Sequence, residues 1–291
     1  MSRISFVNNQ FLPHEQCFVH IEDRAMQFAD AAYEVILFKN NQLIDVNRHL
    51  SRLDSTIAAL NINLNINYQE IIDICYKLFN LNKIDEGTVY IQISRGYCNR
   101  IPNLPQNIAP TIIATVNNLR KISEEDFNIG FKAIIEPDVR WHRCNLKTTG
   151  LLASSLANQK AKDLGFDDAI MARGNDVTEA SFANVFIVDN DNNLITRYAD
   201  NFILCGITRN RIIDLANDNN IKIFEKSITI NDLLLAREVF LTSSSLIIRP
   251  ITLIYYQNQN YIISSGQAGK ITRKIRNLYY DWLANISNKN H

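Results

Sequence analysis

Lys147 is the first residue whose type and setting could carry covalent chemistry. It lies in the segment Arg140–Gly150 (RWHRCNLKTTG), after an apolar-to-polar strand end and before a helical stretch. A lysine at such a junction can lose hydration, and desolvation lowers an amine pKa by up to ~3–5 units. A neutral amine is what a Schiff base requires. A solvated loop lysine would fit the same segment. Glu179 lies in Val177–Phe186 (VTEASFANVF). A carboxylate beside an apolar strand is costly to bury unless paired. Paired, it could hold a protonated ring nitrogen; otherwise it is an edge-strand glutamate facing water. In Leu204–Asn210 (LCGITRN), Gly206 precedes a helix start. The unpaired N–H groups there, the Thr208 hydroxyl and the positive helix end suit a phosphate, although an ordinary helix entry reads the same way. Thr242–Ser245 ends an apolar strand with four hydroxyls, which could add phosphate donors or form a polar turn. Neither GxxxxGK[ST] nor GxGxxG occurs.

These residues need a scaffold, and the periodicity supplies one. Paired asparagines tolerate the positive φ of tight hairpins. Asn8-Asn9 and Asn40-Asn41 therefore predict hairpins over Phe6–Pro13 and Tyr33–Asp45. Leu50, Leu53, Ile57 and Leu60 recur at helical spacing, as do Ile71, Ile72, Cys75, Leu78 and Phe79. Two strands are expected at Thr88–Ser94 and Thr111–Val116. Between them Pro102, Pro105 and Pro110 predict a stiff surface loop. The polar stretch Asn117–Phe127 reads as a linker. Beyond it short strands alternate with helices. Strands are expected at Phe131–Glu136, Asp168–Arg173, Asn184–Val188, Asn193–Arg197, Lys222–Phe224 and Glu238–Thr242. Helices are expected at Leu151–Leu164, Ile207–Asn217, Ile230–Ala236 and Gly269–Ile286. The expected architecture is α+β in two domains, residues 1–118 and 122–291, without an internal repeat.

Composition narrows the function classes. A chain of 291 residues, 46% hydrophobic and 21% charged, is ordinary for a globular protein. Thirty basic and thirty acidic residues cancel, which argues against a general nucleic-acid or polybasic membrane surface. No apolar run approaches the ~18 residues that span a bilayer. The start MSRISFVNNQFLP lacks both a signal core and an Arg-rich transit pattern, so a cytoplasmic protein is expected. The five cysteines are scattered without a CxxC pair, which points to reduced thiols rather than disulfides or a metal site.

Six motifs in collinear order now become specific. They are Trp141–Lys147 (WxRCxxK), Val177–Phe186, Leu204–Arg209 (LxGITR), the Ser-rich strand end, Glu22–Val35 (EDRAMQFADAAYEV) and His49–Leu53 (HLSRL). Together they resemble the fold type IV class of pyridoxal-phosphate enzymes, whose N-terminal motifs read DRGxxFGDGVYE and HxxRL. The resemblance spans about Ile4 to Arg273. It implies a small α/β N-terminal domain, a larger pseudo-barrel C-terminal domain, and pyridoxal 5'-phosphate bound between them. It makes Lys147 the Schiff-base lysine and then the general base that moves the Cα proton to C4′. Glu179 would face the pyridine nitrogen, and Leu204 would pack against the ring. Arg52, the N–H groups of Ile207 and Thr208, the Thr208 hydroxyl and Ser244 would bind phosphate, with Gly206 and Ser243 in the same shell.

Within the class, the resemblance is to D-amino acid aminotransferases. Tyr33 matches a tyrosine that binds the substrate carboxylate. Aligning Ile93–Pro105 with TRGxxxRxHxFP makes Arg100 the carboxylate-binding arginine, contributed by a partner subunit. Pro102 stands where that pattern has histidine; proline has no N–H and cannot donate to a carboxylate. Arg100 could still bind it with two prongs, or could be a solvated residue beside a structural Arg95. The expected reaction is ping-pong transamination of a D-amino acid and a 2-oxo acid, D-alanine with 2-oxoglutarate for example, by a homodimer with no nucleic-acid or membrane partner. A branched-chain L-amino acid aminotransferase and an aminodeoxychorismate lyase are the alternatives.

Overall fold

The structure, a computed structural model, describes residues 2–64 and 67–287. It contains two compact units. The first comprises the described residues up to Arg120 together with Leu146–Gly150; the second comprises Lys121–Asn145 and the described residues from Leu151 onward.

The first unit is built on an antiparallel sheet. Its elements are β1 (Ile4–Val7), β2 (Gln10–Pro13), α1 (Arg24–Phe28), β3 (Ala31–Lys39), β4 (Gln42–Leu43), α2 (Val46–Ala59), α3 (Tyr68–Asn82), β5 (Gly87–Ser94) and β6 (Thr111–Asn118). The strand order is β2-β1-β6-β5-β3-β4. Both asparagine pairs turn hairpins as expected, with φ of 43° and 68° at Asn8 and Asn9 and 54° and 57° at Asn40 and Asn41. Leu50, Leu53 and Ile57 of α2 and Ile71, Cys75, Leu78 and Phe79 of α3 join Ile36, Val89, Ile91 and Val116 of the sheet in one core. Each such aliphatic burial is worth roughly 1.5–3 kcal/mol. The Asn67 side chain accepts from the Glu70 N–H at 2.8 Å and so caps α3.

One edge of β3 receives an unusual partner. β4 pairs only with Phe38 and Lys39, at the far end of the strand. At the near end Leu146–Gly150 adds itself. The Tyr33 N–H donates to Lys147 O at 3.0 Å, the Thr149 N–H donates to Ala31 O at 3.1 Å, and Thr148 bridges Ala32. An edge strand's unpaired backbone groups invite this addition.

The second unit contains α4 (Glu124–Ile129), β7 (Phe131–Pro137), α5 (Leu152–Asp163), β8 (Asp168–Arg173), β9 (Asp176–Ala180), β10 (Asn184–Val188), β11 (Leu194–Thr196), α6 (Ile207–Asp218), β12 (Ile223–Glu225), β13 (Ile228–Thr229), α7 (Ile230–Leu234), β14 (Glu238–Ser243), β15 (Ile247–Tyr256), β16 (Gln259–Ile262) and α8 (Lys270–Ser287). Its mixed sheet runs β12-β11-β10-β14-β15-β7-β8-β9-β13, with β16 also on β15. Val185, Ile187, Val239, Leu241 and Ile251 fill one core. On the opposite face the rings of Phe186 and Phe240 stack at 4.9 Å, and Asn184 stands across from Thr242.

Among the elements that differ from the sequence expectation, three have a clear physical reason. The stretch read as a linker ends β6 at its start and forms α4 at its end; Ser123 caps that helix, accepting from the Asp126 N–H at 2.9 Å. Ser-Glu-Glu-Asp is a helix-start pattern hidden by its polarity. β15 was obscured by Pro250, because a proline inside an apolar run argues against a central strand. Pro250 lies just before pairing with β7 begins at Ile251. The strand carrying Glu179, β9, is bounded by loop-like polar residues and was not separable from them.

Candidate active site

In the first unit the added segment fixes Lys147 by its backbone. Its carbonyl is held by β3, and its N–H donates to Thr56 Oγ1 at 3.3 Å. Thr56, 1% exposed, donates onward to Arg52 O at 3.0 Å. The Lys147 Nζ lies 4.2 Å from the centre of the Tyr33 ring, and Tyr33 stacks on Tyr90 at 5.4 Å. The structure thus brings Lys147 and Tyr33 together.

Arg52 is not simply presented to an anion. Its Nε and Nη2 each meet a Glu34 carboxylate oxygen at 2.8 Å, and His49 Nδ1 lies 2.7 Å from Glu34 Oε2. Glu34 is fully buried. Burial alone would raise its pKa, but the Arg52 charge and the hydrogen bonds from Arg52 and His49 outweigh burial and hold it at about 2. Burial pushes His49 down, against the pull of Glu34, and the Arg52 and Lys147 charges push the same way. A neutral His49 donates its Nδ1 proton to Glu34. Arg52 therefore spends its Nε edge on Glu34. His49 and Arg52 share a helix face by their i, i+3 spacing. That spacing was visible in the sequence; Glu34 as their buried partner was not.

Arg100 is exposed, its guanidinium 5.1 Å over the Phe28 ring. Its loop is tied down by Arg24, which donates to Ile101 O at 2.8 Å and pairs with Asp30 at 2.7 Å. Arg95 is structural: it is buried, forks onto Asp30, and donates to the carbonyls of Leu60 and Asn61.

In the second unit Glu179 is buried on β9. Oε1 accepts from Arg140 Nη1. Oε2 accepts from the Leu204 N–H and from Asn184 Nδ2, each at 3.1 Å. Asn184 Nδ2 also donates to Leu204 O at 2.8 Å. Glu179 and Leu204 are thus joined through Asn184. Burial opposes ionisation of Asp138 beside them, but Arg140 and the Thr178 hydroxyl hold its pKa at about 2. Burial likewise works against the Arg140 charge, and Asp138 and Glu179 outweigh it and raise its pKa.

Gly206 is the N-cap of α6, and no side chain caps that helix start. The N–H groups of Ile207 and Thr208 have no intrahelical acceptor by geometry, which is the donor arrangement an anion needs. A glycine is required by close approach: a Cβ at 206 would meet Asn184 Oδ1 at 2.0 Å. Gly206→Ala should therefore push Asn184 off Glu179 and Leu204, lowering affinity for a phosphorylated cofactor at least tenfold, as read by fluorescence titration. Ser243 and Ser244 are half-buried at the end of β14, where Ser243 Oγ accepts from the Leu246 N–H at 3.3 Å. Thr242 beside them is 3% exposed, and its Oγ1 has no hydrogen-bond partner.

Each unit carries donor types that pyridoxal phosphate could use: an amine in the first, and a fixed carboxylate and an uncapped helix start with hydroxyls in the second. Comparison with known proteins agrees. The family model for class IV amino-transferases matches residues 31–254, and the chain belongs to that family. It is a pyridoxal-phosphate-dependent aminotransferase of fold type IV. The D-alanine aminotransferase of Listeria monocytogenes serotype 1/2a (strain 10403S) is 36% identical over 277 residues, 94% of each chain. Among solved structures, the branched-chain amino acid aminotransferase of Escherichia coli superposes with a TM-score of 0.88 at 20% identity, covering 97% of this chain and 94% of that one. The branched-chain aminotransferase of the archaeon Thermoproteus uzoniensis, solved with norvaline, gives 0.81 at 25% identity, covering 96% and 94%.

Proposed function

We propose that the protein transfers the amino group of a D-amino acid, D-alanine foremost, to a 2-oxo acid such as 2-oxoglutarate, giving pyruvate and D-glutamate. The observation that supports this is the similarity to D-alanine aminotransferases over nearly the whole chain. Pyridoxal phosphate, when bound, supplies the aldehyde and the electron sink. The chain's residues do the rest. Lys147 provides the amine that holds the cofactor and then carries the Cα proton of the substrate. Glu179 accepts from the protonated ring nitrogen, and Leu204 covers the ring. The N–H groups of Ile207 and Thr208, the Thr208 hydroxyl, Ser243, Ser244 and Arg52 bind phosphate, and Gly206 lets the backbone approach. Tyr33 and Arg100 hold the substrate carboxylate, Arg100 from a partner subunit of a cytoplasmic homodimer.

The yellow holoenzyme, mixed separately with D-alanine, L-leucine and aminodeoxychorismate, distinguishes the readings. Bleaching and pyruvate release with D-alanine are expected. Bleaching by L-leucine but not by D-alanine would replace this reading with branched-chain transamination, which the norvaline-bound relative also supports. Pyruvate from aminodeoxychorismate without an amino acceptor would indicate a lyase.

A further inference from the structure

Glu179 is held more firmly than contact with one ring nitrogen demands. A terminal carboxylate torsion is broad and roughly two-fold, yet donors occupy both of its oxygens: Arg140 on one, Leu204 and Asn184 on the other. Arg140 is itself locked. Its Nε and Nη2 fork onto Asp138 at 2.9 and 2.8 Å, Nη2 also donates to Phe202 O at 3.1 Å, and its side chain is 11% exposed. Asp138 is held in turn by the Thr178 hydroxyl at 2.8 Å and by Arg173 Nε at 3.2 Å. Arg173 Nη2 then closes back on the backbone that carries Arg140, donating to Arg140 O and Trp141 O at 2.9 Å each. Four residues from β8, β9 and the segment after β7 thus form one chain of charge-assisted bonds ending at Glu179.

A buried ion network is poor value as stabilisation, because desolvation consumes most of the Coulomb energy and an apolar filling often does as well. What a satisfied network provides is orientation. We infer that Arg140 is a positioning residue that fixes the Glu179 carboxylate in one orientation for the ring nitrogen of the cofactor. The inference rests on the proposed contact between Glu179 and that nitrogen. The residue type follows from the task. Only a guanidinium offers several donors in one rigid plane, so that one edge can fork onto Asp138 while another nitrogen reaches Glu179. A lysine at this position could serve one carboxylate well, not both.

The test uses the holoenzymes of Arg140→Met, Arg140→Lys, Glu179→Gln and the double variant Arg140→Met/Glu179→Gln. Three quantities are read: the ratio of the absorbance bands of bound pyridoxal phosphate at one fixed pH, its dissociation constant, and turnover. Arg140→Met should change the band ratio in the same direction as Glu179→Gln and lower turnover roughly 10²-fold, the cost of a misplaced reacting group. Its cofactor affinity should stay within about threefold. Arg140→Lys should recover part of both effects. Adding Arg140→Met to Glu179→Gln should change little further, since residues acting as one unit are not additive. An Arg140→Met spectrum identical to wild type, with Glu179→Gln altered, overturns the inference: Arg140 is then structural only. An unaltered Glu179→Gln spectrum overturns it as well. If Arg140→Met does not fold, Asp138→Asn/Arg140→Met removes the stranded charge and gives the same readout. Failure of the functional reading is separate and shows earlier, as an absence of borohydride-trapped cofactor on Lys147 in the wild type.

Discussion

Replacing Lys147 by alanine is expected to abolish measurable transamination, a loss of at least ~10²–10⁴-fold from proton transfer alone. The Schiff-base contribution adds to that loss. The donors assigned to phosphate are on other residues: the start of α6, the hydroxyls after β14 and Arg52. The variant should therefore still bind pyridoxal phosphate, now reversibly and without a borohydride-stable adduct. The backbone of residue 147 is tied to β3 and Thr56 through its carbonyl and N–H, not its side chain. Those backbone bonds should therefore survive the substitution. Full activity in Lys147→Ala, or an adduct mapped by mass spectrometry to another residue, would contradict the assignment.

Glu34→Gln is expected to have the largest effect on stability. Glu34 is fully buried and carries the negative charge that balances Arg52. Removing one partner of a buried pair costs about 3–5 kcal/mol, which is on the order of 10 °C in Tm for a chain of this size. A pH dependence follows with a definite sign. The folded-state pKa of Glu34 is held at about 2, below its ordinary value of 4.5. Its stabilisation, about 3 kcal/mol by linkage, is therefore fully present above pH 4.5 and disappears as pH falls towards 2. The gap in Tm between wild type and Glu34→Gln should narrow as pH is lowered from 5 to 2. A gap independent of pH would mean that the charge of Glu34 is not what stabilises. Phosphate affinity should also fall in this variant, because Arg52 loses the fork that orients it.

The sequence pointed to candidate reactive groups more readily than to their supports, for a physical reason. Lys147, Glu179 and the Gly206-Ile207-Thr208 start each lie in a short local pattern that can be picked out without a fold, although its chemistry became specific only when the motifs were taken together. The hairpins at paired asparagines and the amphipathic α2 and α3 were legible on the same grounds, since turn chemistry and periodicity are local. The supports are pairs of residues distant in sequence. Glu34 lies 15 residues from His49 and 18 from Arg52, and Arg140 lies 39 from Glu179. Nothing in either neighbourhood of such a pair announces the other. Arg52 shows the consequence: its match to a motif named a phosphate ligand, whereas the folded chain first assigns it a buried carboxylate. Arg95 shows the converse, because its fork on Asp30 separates it from the exposed Arg100 that the same loop pattern carries.

The short stretch Leu146–Gly150 completes the edge of β3, although the chain on either side of it belongs to the other unit. The gene therefore cannot be cut into two self-sufficient halves. A fragment ending at Arg120 would lack its lysine, and a fragment starting at Lys121 would carry that lysine on a tether with no strand to dock against. Co-expressing the two fragments should restore what neither possesses alone, with the amine reaching its place only when the fragments reassociate.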